Sequence, residues 1–251
     1  MAAQKRSVRE IQQALLDRGF NPRGVDNIMG ENTRTAIQAF QHSVGLYVDG
    51  VAGPLTLAQL FPETEAPAAS SPGDLPAAWL PKATIQRVIL HWTAGAGSPS
   101  SEDLRHYHVL WGSDGQAYRG VPTIDKNDAS GIRTGYAAHT LNCNTGSIGG
   151  SLCGMRGAVE SPFSPGPSPL TRVQWDRMIP GVAQMCLRYG VPVTDRTVLT
   201  HAEVQANLGI QQRGKWDIAR LPFDLSVVGA RAVGDLLRRQ VAAEIQRRGA
   251  R

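Results

Sequence analysis

With 251 residues, 41% of them hydrophobic and 19% charged, the chain is long enough for one large domain or a large and a small one, and its balance is that of a folded globular protein rather than a disordered or fibrous one. Its 27 glycines and 16 prolines point to a loop-rich fold and away from a helical bundle, and no apolar stretch approaches the roughly 18 residues of a membrane span. A formal net charge of +5 favours a polyanionic partner such as an anionic cell wall or a membrane surface, while no nucleic-acid-binding motif is present, so nucleic acid is not expected as a partner.

The chain opens Met-Ala-Ala-Gln-Lys-Arg-Ser and runs straight into a polar helix, without the apolar core of a secretory signal, so a cytoplasmic protein on synthesis is expected. Ser7-Val8-Arg9-Glu10 is a capping box, with Ser7 as N-cap and Glu10 three residues on. Val8, Ile11, Leu15 and Leu16 follow at helical spacing, and Gly19 stops the helix. A weak internal repeat comes next: Asp26-Asn27-Ile28-Met29-Gly30-Glu31-Asn32-Thr33 is echoed by Asp49-Gly50-Val51-Ala52-Gly53-Pro54-Leu55-Thr56. Each copy is a tight turn followed by a helix start. The first leads into a helix carrying Ala36, Ile37, Phe40 and Val44, the second into a short one carrying Leu57, Leu60 and Phe61.

Through Ile11-Gln12-Gln13-Ala14-Leu15, Gly30-Glu31-Asn32-Thr33, Ala36-Ile37-Gln38-Ala39-Phe40-Gln41 and Val48-Asp49-Gly50-Val51-Ala52-Gly53, this segment resembles the type 1 peptidoglycan-binding domain, a three-helix module. The resemblance implies peptidoglycan as a partner. The family's usual Asp-Gly at the first turn is Asp26-Asn27 here, and Asn accepts the left-handed conformation well. Asp26, Asp49 and Thr33 read as turn and cap residues rather than ligand contacts. Residues 1–62 are assigned to this module. Residues 63–82, rich in Pro, Ala and Ser and without periodicity, read as a semi-extended tether, with Trp79-Leu80 docking on the next domain.

Residues 83–251 read as an α/β domain. Ile85–Leu90 predicts a buried strand ending at His91; Glu102–His106 ends a helix; Tyr107–Trp111 is a second strand, turned at Ser113-Asp114-Gly115 and returned by Gln116–Val121. Ser147–Leu152 reads as a glycine-broken strand, and Val173–Tyr189 as an amphipathic helix, bent or restarted near Pro180. Arg196–Thr200 is a strand presenting His201, and Asp224–Arg248 is one long helix or two broken near Gly229–Gly234. Strands and helices mix without a strict βαβ rhythm, which predicts a mixed sheet flanked by helices. Cys143, Cys153 and Cys186 are odd in number and scattered, so no disulfide framework is expected.

His91, His201 and Asp217 stand out, with Lys215 two residues before the last. Two imidazoles and a carboxylate make a three-ligand zinc set with an open fourth position, the catalytic arrangement; Asp128 and Glu203 compete with Asp217 for the third place. These residues lie in His91-Trp92-Thr93-Ala94-Gly95, Thr200-His201-Ala202-Glu203-Val204 and Lys215-Trp216-Asp217. Together with Tyr107-His108-Val109-Leu110, Ala138-His139-Thr140 and Asn144-Thr145-Gly146-Ser147-Ile148-Gly149, they make the chain resemble the zinc N-acetylmuramoyl-L-alanine amidases, the fold shared by phage amidase-type lysozymes, wall-recycling amidases and peptidoglycan recognition proteins.

That resemblance implies hydrolysis of the amide between N-acetylmuramic acid and L-alanine, one Zn2+ held by His91, His201 and Asp217, and Lys215 stabilising the oxyanion. It implies Tyr107 orienting water or transferring a proton, and His139, Trp92 and Thr93 touching substrate; Glu203, two residues after a ligand, reads as orienting His201 or a loop. Recycling amidases carry a catalytic Glu just after Ser-Ile-Gly; here Gly150 and Ser151 stand there. Phage enzymes use the Tyr and Lys found as Tyr107 and Lys215. The stretch from His201 to Lys215 is longer than the family's. The reading is a monomeric endolysin-like amidase made in the cytoplasm and acting on the wall after holin-type release. A cytoplasmic wall-recycling amidase and a non-catalytic recognition protein are the alternatives. The basic C-terminal helix either packs on its own domain or makes a weak contact with anionic membrane or wall.

Overall fold

The computed structural model describes residues 6–44, 46–61 and 73–250. The chain divides into two compact units, Met1–Ala69 and Ser70–Arg251.

The first unit holds three helices, α1 (Val8–Asp17), α2 (Glu31–Ser43) and α3 (Pro54–Leu60). Ser7 caps α1 through the expected box with Glu10. Ile11, Ala14, Leu15, Ala36, Ile37, Phe40 and Leu60 form the core. Two expected core residues are exposed: Leu16 lies on the far side of α1, with Ala14 facing the core instead, and Val44 falls past the end of α2. Asn27 and Gly50 occupy equivalent left-handed positions, with φ of 66° and 70°. The repeat extends further than the turns. The Gln12 side-chain amide donates to Asp26 Oδ1, Ile28 O and Thr33 Oγ1, while its carbonyl accepts from Asn27 N. Gln41 repeats this with Asp49 Oδ1, Val51 O and Thr56 Oγ1, and accepts from Asp49 N and Gly50 N. Each turn is therefore wired to the helix before it by one buried glutamine.

Residues 63–72 of the expected tether, with residue 62 before them, lie outside the described residues. The rest of it, residues 73–82, is built into the second unit. Leu75 and Leu80 are buried in its core, Leu75 exchanges two hydrogen bonds with Gln184, and Tyr189 donates to Pro81 O. The two leucines anchor a stretch whose overall composition reads as linker.

The second unit is an α/β fold. Its strands are β1 (Arg87–Trp92), β2 (Val109–Trp111), β3 (Ala117–Arg119), β4 (Ser147–Leu152) and β5 (Val198–Thr200). Its helices are α4 (Ser101–His106), α5 (Arg172–Tyr189), α6 (His201–Leu208) and α7 (Ala230–Gly249). The sheet order is β3-β2-β4-β1-β5, with only the β2–β3 hairpin antiparallel. This is the expected mixed sheet flanked by helices. Along β1, alternate side chains part to opposite faces. Val88, Leu90 and Trp92 join the large core, which takes in Trp175, Met178 and Val182 of α5 and Val233, Leu237 and Val241 of α7. Ile89 packs with Leu199, Val204 and Cys143 on the other face, and His91 shares that face.

Several expected elements are adjusted. β4 runs unbroken. Its glycines make room for neighbours: a Cβ on Gly149 would sit 2.4 Å from the His139 ring, and one on Gly150 2.9 Å from Leu90. α5 passes through Pro180 without interruption, and α7 is one helix beginning at Ala230, past the expected start. Tyr107 precedes the second strand as the C-cap of α4. Helix α6 was not expected; His201, presented by the strand that ends at Thr200, is its first residue. Among the described residues, no helix is long and apolar enough to cross a membrane.

Candidate metal centre

The parallel strands β1 and β5 bring the two histidines together. Leu90 pairs with Thr200, so the chains emerge side by side at His91 and His201, and the open end of a parallel sheet is where such folds bind ligands. Asp217 is pinned to the same place by its backbone, since its carbonyl accepts from Ala202 N at 2.6 Å at the start of α6. Its Oδ2 lies 3.1 Å from His91 Nδ1 and 3.0 Å from His201 Nδ1. Among the described residues, these three form the group that could hold a metal, with ligand atoms all within 4.8 Å of one another. Neither expected competitor joins them. Asp128 accepts from Thr84 N and Ser130. Glu203 accepts from Thr200 N and forms a bidentate pair with Arg238 of α7. No hydrogen bond links Glu203 to the His201 ring; the carboxylate fixes the start of the helix that carries it.

The outward nitrogens of the imidazoles decide what the inward ones can do. His91 Nε2 faces His139 Nδ1 at 3.2 Å and Thr140 Oγ1 at 3.3 Å. His139 Nε2 in turn faces the Ser147 carbonyl at 3.3 Å, which makes that nitrogen the donor and His139 Nδ1 an acceptor; Thr140 Oγ1, 2.8 Å from that Nδ1, donates to it and presents a lone pair to His91 Nε2, which is left to donate. His201 Nε2 lies 2.9 Å from the side-chain carbonyl of Gln212. Each outward nitrogen is thus a donor, and each Nδ1 of a neutral ring turns a bare lone pair toward the Asp217 carboxylate. Burial above all, with the neighbouring His201 and Lys215 charges, pushes His91 down to about 4 against the pull of Asp217. Burial raises Asp217, and ring N–H donors at His201 and His91 lower it by more, to about 2; with both Nδ1 bare, a cation between the three would take the place of those donors. Three lone-pair donors around one point, one of them anionic, fit a divalent cation of the zinc type.

The cleft over this centre is lined by Trp92, Thr93, Tyr107, His139, Leu141, His201, Gln212, Lys215 and Asp217, among others. Lys215 is exposed at its edge. Tyr107 sets its ring 5.2 Å from that of His91. Burial, with the Asp217 charge second, pushes its phenol well above the usual range. The other expected substrate contacts hold internal partners. Thr93 Oγ1 accepts from Gly95 N and Gly154 N, and Trp92 stacks edge-on with Trp216. Both His139 nitrogens face groups within the protein, and burial drives its pKa far down. Where recycling amidases have a Glu, the buried Ser151 hydroxyl stands beside His91 in register. Sequence reading missed Gln212: a polar residue in a longer-than-usual loop gives no signal of its own.

A family model described as N-acetylmuramoyl-L-alanine amidase matches residues 81–218, more than half of the chain, and one for a peptidoglycan binding domain matches residues 4–60. No curated protein matches the chain. Among solved structures, SltB3 from Pseudomonas aeruginosa is 43% identical over 21% of this chain, which spans only 14% of that protein, with a TM-score of 0.21. The amidase AmiD from E. coli is 20% identical over 54% of this chain and 52% of its own, with a TM-score of 0.34. The endolysin amidase LysCS from Clostridium intestinale is 13% identical over 55% and 95%, with a TM-score of 0.32. On the family match, this chain, with a peptidoglycan binding domain at its N-terminal end, belongs to the N-acetylmuramoyl-L-alanine amidases.

Proposed function

We propose that the protein is a modular, endolysin-like zinc hydrolase that cuts the amide between N-acetylmuramic acid and L-alanine in peptidoglycan. The observation that carries this reading is the convergence of His91 Nδ1, His201 Nδ1 and an ionised Asp217 at the floor of a cleft edged by Lys215 and Tyr107. Zinc held by these three would lower the pKa of water and polarise the scissile carbonyl. The remaining work falls to the chain's own groups. As the carbonyl carbon becomes tetrahedral its oxygen gains negative charge, which the Lys215 ammonium stabilises. When the C–N bond breaks, the L-alanine nitrogen needs a proton. The Tyr107 phenol, kept protonated by its surroundings, can pass its proton to that nitrogen while taking up the one the attacking water loses, or orient the water, and does not rest as a base.

The alternatives fit less well. The sheet presents Gly150 and Ser151 where a recycling amidase needs its carboxylate, and a recognition protein has no use for a complete donor set. A wall-binding module on the same chain raises the local concentration of bonds to cut. In this reading the enzyme is made in the cytoplasm, works as a monomer and reaches the wall after holin-type release. Digestion of purified peptidoglycan tests it. Stem peptides with a free L-alanine amino terminus, beside glycan strands without new reducing ends, are expected; new reducing ends without free stems would contradict it.

A further inference from the structure

We propose that Gln212 is the positioning residue of the metal centre, holding His201 so that its Nδ1 stays bare toward Asp217 and His91. The assignment rests on the zinc reading and concerns the loop between α6 and Lys215. Gln212 is 3% exposed, so its amide must be satisfied inside the protein. Its Nε2 faces two carbonyls, Leu141 O at 2.9 Å and Ile210 O at 3.4 Å. Carbonyls only accept, so the NH2 group must point at them, and Oε1 is left facing His201 Nε2 at 2.9 Å. An acceptor there requires the proton on Nε2 and so leaves Nδ1 free for the metal, the role that outer partners of metal-bound histidines play.

The position of Gln212 is itself fixed from the helix it serves. Its backbone N–H donates to Gln205 Oε1 on α6 at 3.0 Å, one turn beyond His201. Its side chain then reaches Leu141, which lines the same cleft. The long loop thus closes a circuit of ligand helix, glutamine and cleft wall. His91 is held directly by the 139–140 segment, and His201 through Gln212, which bonds the next residue of that segment.

The test is zinc affinity, measured by chelator competition on the full chain, for native protein, Gln212→Met and Gln212→Glu. Methionine matches the length of glutamine and offers no comparable acceptor; glutamate, as the carboxylic acid, keeps an oxygen facing Nε2 and an O–H facing the Leu141 carbonyl. Gln212→Met should weaken zinc binding roughly 10- to 100-fold, and Gln212→Glu should stay within about threefold of native. Melting of the zinc-free proteins shows whether each variant folds. Undiminished affinity in Gln212→Met, or equal loss in both folded variants, would overturn the assignment. Failure of the native protein to bind zinc would instead remove the metal reading on which it rests.

Discussion

Asp217 Oδ2 is the point on which the site turns: one imidazole nitrogen reaches it from β1 and one from the first residue of α6, and the Asp217 backbone carbonyl is bonded to α6. Asp217→Asn keeps the shape and removes the charge, so zinc affinity measured by chelator competition should fall at least tenfold; unchanged affinity would take Asp217 out of the ligand set. Lys215 belongs to a different step. Lys215→Ala should leave zinc bound and reduce hydrolysis about 100- to 1,000-fold, the effect of losing one oxyanion partner; unchanged turnover would remove it from the mechanism. Gly149 matters because the His139 ring occupies the space where a Cβ would be. Gly149→Ala should therefore displace the ring that orients His91 and weaken zinc binding, although it touches no ligand.

The elements that carry the site are held by buried polar pairs. Glu203 ties the first turn of α6 to α7 through Arg238, and Gly234 leaves room for its carboxylate, which an added Cβ would meet at 2.1 Å. Glu203→Ala leaves Thr200 N without its acceptor and takes one of two carboxylates from the Arg238 guanidinium, which keeps Asp235 and the Val198 carbonyl, and should cost about 1–3 kcal/mol in chemical denaturation. In the N-terminal unit, Gln41→Ala leaves Asp49 N and Gly50 N without their acceptor and should destabilise that unit by about 1–3 kcal/mol. At this scale the limits of sequence reading are clear. The α1 capping box, the two turns and β1 were legible because their signals are local: a cap residue three before Glu, an Asn or Gly at a turn, a run of branched apolar residues. Helix α6 was not legible, because its eight residues are too few and too polar to show a period. Gln12, Gln41 and Gln212 were silent because a hub is defined by partners distant in sequence. The ligand motifs, in contrast, could be read through family resemblance before any geometry was known.

Over the whole molecule, burial of neutral histidines links stability to pH. His91 and His108 are both pushed down to about 4, chiefly by burial, and His139 is driven down as well. In the unfolded chain these groups bind protons below about 6.5. Between the two values the unfolded state holds more protons, so stability is full above about pH 6.5 and falls as pH drops toward 4. Thermal melting of the zinc-free protein should show this loss; a flat melting temperature from pH 7 to 4.5 would contradict it. The positive charge of α7 is largely answered within the second unit. Arg238 pairs with Glu203 and Asp235, Arg247 and Arg248 with Glu244, and Arg248 also with Asp74. The packing role of this helix therefore has a concrete basis, and any contact with an anionic surface falls to exposed groups such as Arg231 and Arg239.

The central claim is that His91, His201 and Asp217 hold zinc for amide hydrolysis. Its most direct test measures release of L-alanine amino termini from purified peptidoglycan by three samples: native protein, chelator-treated protein with zinc restored, and His201→Ala. The account predicts release by the first, loss and recovery in the second, and none from the third. Release that persists in His201→Ala or survives chelation would contradict it.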